Sequence, residues 1–91
     1  MNASLEINKW LKIVSKNGLL LEDAPLNIQA NKDIVIKAVQ NNGKALQYAC
    51  KELQDNKEVV LEAIRESAYA IEYASDNIKN TKIYYAINSM S

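Results

Sequence analysis

The carboxylates of this chain are the residues whose spacing comes nearest to catalytic or metal-binding chemistry. Three pairs are close in the sequence: Glu22 with Asp23, Glu58 with Glu62, and Glu72 with Asp76. Paired carboxylates serve as general acid and base or as ligands for divalent cations. The last two pairs are four residues apart, which is the usual arrangement of a solvated helix surface, and nearby Lys57, Arg65 and Lys79 offset the charge. We therefore predict no catalytic residue, no metal site and no cofactor.

Other reactive groups are scarce. The chain has no histidine and one cysteine, Cys50, which excludes Cys/His and Ser/His/Asp nucleophiles and a structural zinc cluster. Its two glycines, Gly18 and Gly43, are too few for a phosphate-binding loop. Ser75 replaces Cys50 25 residues later, so we interpret Cys50 as a reduced thiol in a position for small residues. The sequence predicts a protein that is not an enzyme.

Tyrosines are the more suggestive residues. Tyr48 and Tyr73 are 25 residues apart, and Tyr69 precedes Tyr73 by one helical turn. We favour packing between repeats with the hydroxyls at the rim; the alternative is a stripe that binds a protein or peptide. Lys44 and Arg65 occupy positions that change between repeats, although Arg65 is most simply a solvated helix residue. The candidate partner-binding residues are Tyr48, Tyr69, Tyr73, Lys44 and Arg65.

These residues belong to a chain that repeats itself. Residues 31–55 and 56–80 align without a gap, and a fixed period of this kind indicates a repeat architecture. Seven positions of the first copy recur unchanged in the second: Asn31, Lys32, Val35, Ala38, Ala45, Tyr48 and Ala49. Residues 6–30 align as a third copy with more differences, such as Asp23 in place of tyrosine and Pro25 at the Cys50 position. Divergent terminal copies are expected because they have one neighbour only.

Each unit predicts two helices. In the second unit, the first predicted helix shows the apolar spacing i, i+1, i+4, i+5 of an amphipathic helix: Ile34, Val35, Ala38 and Val39. The β-branched run at 34–36 also suits a strand, but charged flanking residues and the lack of alternation favour a helix. The second predicted helix carries four apolar residues on one face: Ala45, Leu46, Ala49 and Leu53. In the first unit Pro25 should interrupt this helix and restart it.

The sequence also predicts how the helices begin and end. Asn31 and Asn56 are expected N-caps, and residues 55–58 have the pattern of a capping box. The glycines that follow Asn17 and Asn42 are expected to end the first helices in the left-handed conformation. Ala68 replaces glycine in the third unit, which predicts a less sharp turn and a helix bending near Ser67.

A family resemblance supports this interpretation. The pattern NKEVV, Ala63-Ile64, Asn42-Gly43, Ala45-Leu46, Tyr48-Ala49 and Leu53 resembles the repeat family catalogued as domain of unknown function 4116. The similarity is good over residues 17–80, with departures at Asp23 and Ala68. It implies tandem α-helical units, and it supplies no catalytic residues because no activity is established for the family.

We therefore predict an all-α fold, a short solenoid-like stack of helix-turn-helix repeats in one domain of residues 1–91. Its units are about 6–30, 31–55 and 56–80, with a capping helix at 81–91. The predicted function is a scaffold or protein-interaction surface, with contacts at positions that differ between units, such as Lys37 against Glu62. The alternatives are a ligand-binding or enzymatic pocket between helix pairs, and oligomerisation through Tyr84, Tyr85 and Ile87.

The charge balance bears on partners and location. Eleven basic and eleven acidic residues are interspersed, so binding to nucleic acid or an anionic membrane is not expected. We predict a protein partner, with homo-oligomerisation through the terminal repeat as a further option. No signal peptide or membrane-spanning run is recognisable, which predicts a cytoplasmic location with export by a signal-less route left open.

Overall fold

The structure, a computed structural model, describes residues 2–80 as a succession of α-helices and 3₁₀ helices. In chain order they are α1 (Asn2–Lys16), η1 (Gly18–Asp23), α2 (Leu26–Gln29), α3 (Lys32–Asn41), η2 (Gly43–Tyr48), α4 (Lys51–Gln54), α5 (Lys57–Glu66), η3 (Ala68–Tyr73) and α6 (Asp76–Lys79). The 3₁₀ helices begin at residues 18, 43 and 68, so equivalent elements are 25 residues apart. No β-strand occurs in residues 2–80, and the all-α prediction is confirmed.

The continuous second helix predicted for the second and third units is wrong, because the chain forms a 3₁₀ helix, an extended link and a short α-helix instead. In the second unit Ala49 and Cys50 are extended, with φ/ψ of −74°/155° and −63°/161°. Ala49 donates its N–H to Leu46 O at 3.1 Å, three residues back, as a 3₁₀ helix requires. Pro25 interrupts the first unit as predicted, but it is the N-cap of α2 and not its first helical residue.

Pro25 has the backbone angles that the other units adopt without proline. Its φ/ψ of −64°/162° match those of Cys50, and Ser75 has −63°/157°. Cys50 donates its N–H to Gln29 O at 3.1 Å, which is a bond between units. Ser75 makes the same bond to Gln54 O at 2.9 Å. Proline has no N–H, so the edge of the first unit lacks the donor with which the other two units attach to their predecessors.

The glycines do not adopt the left-handed conformation, so that prediction is wrong. Neither Gly18 nor Gly43 has a positive φ. The residues before them are extended, and their side chains cap the turn: Asn17 accepts from Leu19 N, and Asn42 accepts from Lys44 N. Glycine is required by close packing. A Cβ at Gly43 would lie 2.3 Å from Ala63 O, and the corresponding distance at Gly18 is 2.1 Å.

The turn at Ala68 has the same backbone conformation as the turn at Gly43. Helix α5 ends at Glu66, Ser67 is extended with φ/ψ of −149°/115°, and η3 begins at Ala68. Asn42 has nearly the same angles, −150°/109°, in the second unit. The predicted helix bend near Ser67 is wrong because the turn contains no left-handed residue and alanine enters it without strain.

Helices α3 and α5 begin at asparagine caps. Asn31 Oδ1 accepts from Ile34 N and Asn56 Oδ1 accepts from Val59 N, both at 3.1 Å, which confirms these two predictions. The predicted capping box at 55–58 is wrong. Asp55 follows α4 and accepts the hydroxyl hydrogen bond of Ser75. The Glu58 carboxylate forms an ion pair with Lys32 instead of returning to its own helix start.

The elements form two layers. Helices α1, α3 and α5 lie side by side in one layer, and η1, η2 and η3 lie side by side in the other. The long helices are parallel: Lys32 and Glu58 join the starts of α3 and α5, and Glu66 at the end of α5 reaches Gly43 just beyond α3. The core lies between the layers, and its largest fully buried members are Leu21, Ile28, Ile34, Leu46, Ile78, Val14, Val35, Val39, Val59 and Val60.

The stack is elongated, with principal extents of 43 × 22 × 17 Å. None of its helices within residues 2–80 is both long and apolar enough to cross a membrane. The predicted capping helix at 81–91 and the oligomerisation residues Tyr84, Tyr85 and Ile87 lie outside the described residues.

Candidate functional site

The 3₁₀ helices place six side chains on the outer surface of the stack. Because a 3₁₀ helix has three residues per turn, residues i and i+3 lie directly above one another. Tyr69 therefore lines up with Glu72 on η3, and Lys44 lines up with Gln47 on η2. We call the six exposed residues at these two positions of each unit the 3₁₀ face: Leu19, Glu22, Lys44, Gln47, Tyr69 and Glu72.

Three of the predicted partner-binding residues contact one another at this face. Lys44 Nζ lies 5.6 Å from the centroid of the Tyr69 ring, within the range of a cation–π interaction. The ring centroids of Tyr69 and Tyr73 are 5.9 Å apart with an interplanar angle of 75°, an edge-to-face pair. Lys44, Tyr69 and Tyr73 form the tyrosine cluster, which bridges the second and third 3₁₀ helices.

The tyrosines differ in burial. Tyr48 and Tyr73 are partly buried and pack against the core, as the packing interpretation predicted. Tyr69 is 58% exposed. It replaces Lys44 of the preceding unit, and Leu19 occupies the same position in the first unit. Core packing therefore explains two tyrosines and leaves Tyr69 as a surface residue.

Arg65 lies away from the tyrosine cluster. It projects from α5 in the other layer, where its Nη1 is 3.1 Å from Glu62 Oε2. Glu62 Oε1 also accepts a hydrogen bond from Gln40 Nε2 at 3.2 Å, which links α5 to α3. The Arg65 side chain is exposed and pairs with a residue of its own helix, as expected for a solvated helix surface. Such exposed pairs contribute about 0–1 kcal/mol.

The charge of Lys44 has no carboxylate partner in the part of the chain that the structure describes. Ion pairs there join Lys32 to Glu58 and Arg65 to Glu62. The 3₁₀ helices contain three carboxylates and one cation: Glu22, Asp23, Glu72 and Lys44. Lys44 is therefore an isolated positive charge, exposed to solvent and held against the Tyr69 ring.

The carboxylate pairs have ordinary surroundings. Glu58 pairs with Lys32 at 2.7 Å and Glu62 pairs with Arg65, so both carboxylates are neutralised by neighbours. Glu72 and Asp76 are exposed. Over residues 2–80 there is no group of three Asp, Glu, Cys or His side chains that could hold a metal ion. The spatial arrangement matches the solvated surface that their spacing suggested.

An open depression of about 340 Å³ lies between α1 and α3, lined by Ser15, Lys37, Gln40 and Asn41. The amide groups of its lining are engaged within the protein. Asn41 Oδ1 accepts from Gly18 N at 2.8 Å, and Asn41 Nδ2 donates to Ser15 O at 3.2 Å. Gln40 is bonded to Glu62. The pocket hypothesis stays a prediction, and three of the four lining residues, Ser15, Gln40 and Asn41, already have structural partners.

Sequence reasoning missed four side chains that tie elements of the stack together. Asn41 and Glu66 bond between units, and Gln29 and Gln54 bond within a unit. Gln29 Nε2 donates to Leu21 O and Gln54 Nε2 donates to Leu46 O, both at 3.0 Å. These glutamines are 25 residues apart, so the repeat contained a signal for them. Asn41 and Glu66 are different residue types, but each uses a side-chain oxygen to accept the N–H of a glycine in the preceding unit. A comparison of residue types between units does not reveal this shared role.

Comparison with known proteins identifies the family. No curated protein and no solved structure matches the chain. The family described as Domain of unknown function (DUF4116) matches twice in succession, at residues 10–54 and at residues 56–83. The two matches meet at Asp55, directly after α4. Together they span most of the chain and include every element from η1 to α6. The chain belongs to the DUF4116 family.

Proposed function

We propose that this chain is a non-enzymatic interaction module that binds a partner protein through its 3₁₀ face. The observation behind the proposal is the tyrosine cluster, in which an exposed tyrosine lies between a lysine and a second tyrosine. Tyrosine is enriched at protein interfaces because its ring supplies apolar area and its hydroxyl a hydrogen bond. Tyr69 has both in an exposed position.

The variation among units supports this location. Leu21, Leu46 and Ile71 occupy one inward position of the three 3₁₀ helices and are all branched aliphatic residues. Two residues earlier in each helix, the equivalent position holds an aliphatic, a cationic and an aromatic side chain: Leu19, Lys44 and Tyr69. Repeat proteins bind partners through surface positions that vary while the core positions keep the fold. The 3₁₀ face has this property.

Capture of a partner from the native host by cross-linking and affinity purification tests the proposal. We expect Tyr69→Ala and Lys44→Glu to abolish capture while the melting temperature stays unchanged. Lys12→Glu is the matched control, since Lys12 is an exposed lysine on α1 in the opposite layer. The proposal is wrong if the control removes the partner equally, or if capture is lost only in variants that unfold.

The cytoplasm is the proposed location. Cys50 is the single cysteine and is unpaired, which suits a reducing compartment. Fractionation of the native host should recover the protein with cytoplasmic markers. Recovery with exported proteins would contradict this part of the proposal.

A further inference from the structure

Adjacent units of the stack join in the same way at both junctions within residues 2–80. We call the surface of a unit that meets its predecessor the leading edge, and the surface that meets its successor the trailing edge. On the leading edge of the second unit, Asn41 Oδ1 accepts a hydrogen bond from Gly18 N at 2.8 Å. On the same edge Cys50 N donates to Gln29 O at 3.1 Å. The third unit repeats both bonds with the residues 25 positions later. A unit that continued the stack would have to make this pair of bonds.

The first unit can make neither bond at its leading edge. Lys16 occupies the position of Asn41 and Glu66, and its ammonium donates hydrogen bonds but accepts none. Pro25 occupies the position of Cys50 and has no N–H to donate. Lys16 and Pro25 are both exposed. A copy placed against this edge would bury an N–H and a carbonyl oxygen without their partners, which is unfavourable.

A lysine on the leading edge of the first unit stands where the other units bury an aliphatic side chain. Ile34 and Val59 are equivalent residues, and neither has exposed surface. Lys9 holds their position in the first unit and is exposed, with its Nζ 6.0 Å from the centroid of the Trp10 ring. A copy that covered this edge would remove the Lys9 ammonium from water at a position that is apolar in the other units. The charge therefore opposes burial of this edge.

Side-chain size differs at the same edge. The second and third units have fully buried alanines at two equivalent positions: Ala38 with Ala63, and Ala45 with Ala70. The first unit has Ile13 and Leu20 there instead. Ala70 is buried although no unit follows it within residues 2–80, whereas Leu20 is 39% exposed although a unit does follow it. The predecessor is therefore what covers this position, and a copy placed before the first unit would meet a leucine in the space of an alanine.

The trailing edge of the third unit is closed by a single methyl group. At the junction of the second and third units, a Cβ on Gly43 would lie 2.3 Å from Ala63 O, so only glycine fits there. Ala68 occupies the glycine position of the third unit with the same backbone conformation, and it is exposed. Its Cβ lies where the carbonyl oxygen of a following copy would have to be placed. Head-to-tail stacking is therefore blocked at this edge as well.

We propose that both edges of the stack are closed to head-to-tail association, so that copies of the chain do not assemble end to end. Contact between a leading and a trailing edge is heterologous and would extend into open filaments. Six residues prevent this contact: Lys9, Ile13, Lys16, Leu20, Pro25 and Ala68. The edges are separate from the 3₁₀ face, so their closure goes beyond the protein-binding function proposed above and does not depend on it.

Opening one edge at a time provides the test. The trailing-edge variant is Ala68→Gly. The leading-edge variant takes residues of the other two units at five positions: Lys9→Ile, Ile13→Ala, Lys16→Asn, Leu20→Ala and Pro25→Ser. Each variant alone should sediment like the natural chain in analytical ultracentrifugation. An equimolar mixture of the two should form a 1:1 complex that grows no further, because each partner keeps one closed edge.

The natural chain is the control for both edges. Mixed with either variant it should form no complex, because the edge that it offers to the opened one is closed. A complex with the leading-edge variant would show that Ala68 does not close the trailing edge. A complex with Ala68→Gly would show that the leading edge is open. Either result overturns the proposal.

Absence of a complex between the two folded variants also overturns the proposal, since six restored residues would then not be enough to join two stacks. Circular dichroism checks that both variants fold. If the five changes of the leading-edge variant prevent folding, the three at exposed residues replace them: Lys9→Ile, Lys16→Asn and Pro25→Ser. The same 1:1 complex with Ala68→Gly is expected, and its absence counts equally against closure of the edges by these residues.

Discussion

The inward and outward sides of the three 3₁₀ helices are under different constraints. On the inward side, Gly18 and Gly43 contact the carbonyls of the neighbouring long helices so closely that a Cβ does not fit. Leu21 and Leu46 on the same side are fully buried. On the outward side one equivalent position holds leucine, lysine and tyrosine in turn. The same short helix thus specifies the stack with one side and leaves the other free to vary.

This difference separates residues that determine the fold from residues available for binding. A position that faces another unit must satisfy a fixed distance or hydrogen bond, as Cys50 does with Gln29 O. A position such as Tyr69 meets solvent and has no comparable constraint. The following substitutions test the comparison in order of decreasing effect on the free energy of unfolding.

Gly43→Ala should have the largest effect, a loss of about 3 kcal/mol in the free energy of unfolding. The added Cβ would lie 2.3 Å from Ala63 O, a backbone atom that cannot move away by rotating a side chain. Urea denaturation measures the change. Ala68→Gly, at the equivalent position of the third unit, is the control and should change stability by less than about 1 kcal/mol. A loss below about 1 kcal/mol for Gly43→Ala would contradict the close-packing explanation.

Cys50→Pro should lower the free energy of unfolding by about 2 kcal/mol even though its backbone angles suit proline. The substitution removes the N–H that donates to Gln29 O at 3.1 Å and leaves that carbonyl without this donor. Thermal unfolding followed by circular dichroism measures the loss. Pro25→Ala, the reverse exchange at the edge of the first unit, should cost less than about 1 kcal/mol. Equal effects at the two positions would show that the hydrogen bond between units contributes little.

Gln54→Ala should cost about 1 kcal/mol. Its Nε2 donates to Leu46 O at 3.0 Å and to Gln47 O at 3.3 Å, and so ties α4 to η2. Leu46 O keeps its bond from Ala49 N, which limits the loss. Gln47→Ala is the exposed control, with an expected change within about 0.5 kcal/mol. If both glutamines have the same effect in urea denaturation, the inward and outward sides are not distinguished by this contact.

Tyr69→Ala should have the smallest effect on stability, within about 0.5 kcal/mol, because its side chain is largely exposed. The same substitution is expected to remove partner capture. A stability loss above about 2 kcal/mol would show that Tyr69 belongs to the packing of the stack. The outward side would then be no freer than the inward side at this position.

Helical periodicity in the sequence predicted the helical class, the asparagines before each pattern predicted the caps, and the motif resemblance predicted the family. The apolar residues of α3 and α5 recur with helical spacing, and Asn31 and Asn56 stand at the first residue before each pattern. The second helix was predicted wrongly because its apolar residues suit an α-helix as well as a 3₁₀ helix with a short α-helix after it. The hydrogen bonds of Ala49 and Cys50 distinguish these possibilities, and both depend on neighbours in space.

The candidate site was predicted in part for the same reason. Lys44, Tyr69 and Tyr73 were singled out from the positions at which the units agree or differ, and they meet in space. Arg65 was grouped with them because it also differs between units, but it lies in the other layer beside Glu62. Variation between units does not report the layer on which a residue lies, because both layers contain exposed positions that differ.

The local sequence was sufficient for helices α3 and α5 and their asparagine caps, because these depend on neighbours within a turn. The reason for the glycines became apparent from packing, since a carbonyl of the next unit, 20 residues away in sequence, occupies the space of a Cβ. Likewise, Asn41 and Glu66 serve one role with different side chains because each meets a glycine N–H from the preceding unit. Contacts between units, which follow from the stacking of the whole chain, determine these features.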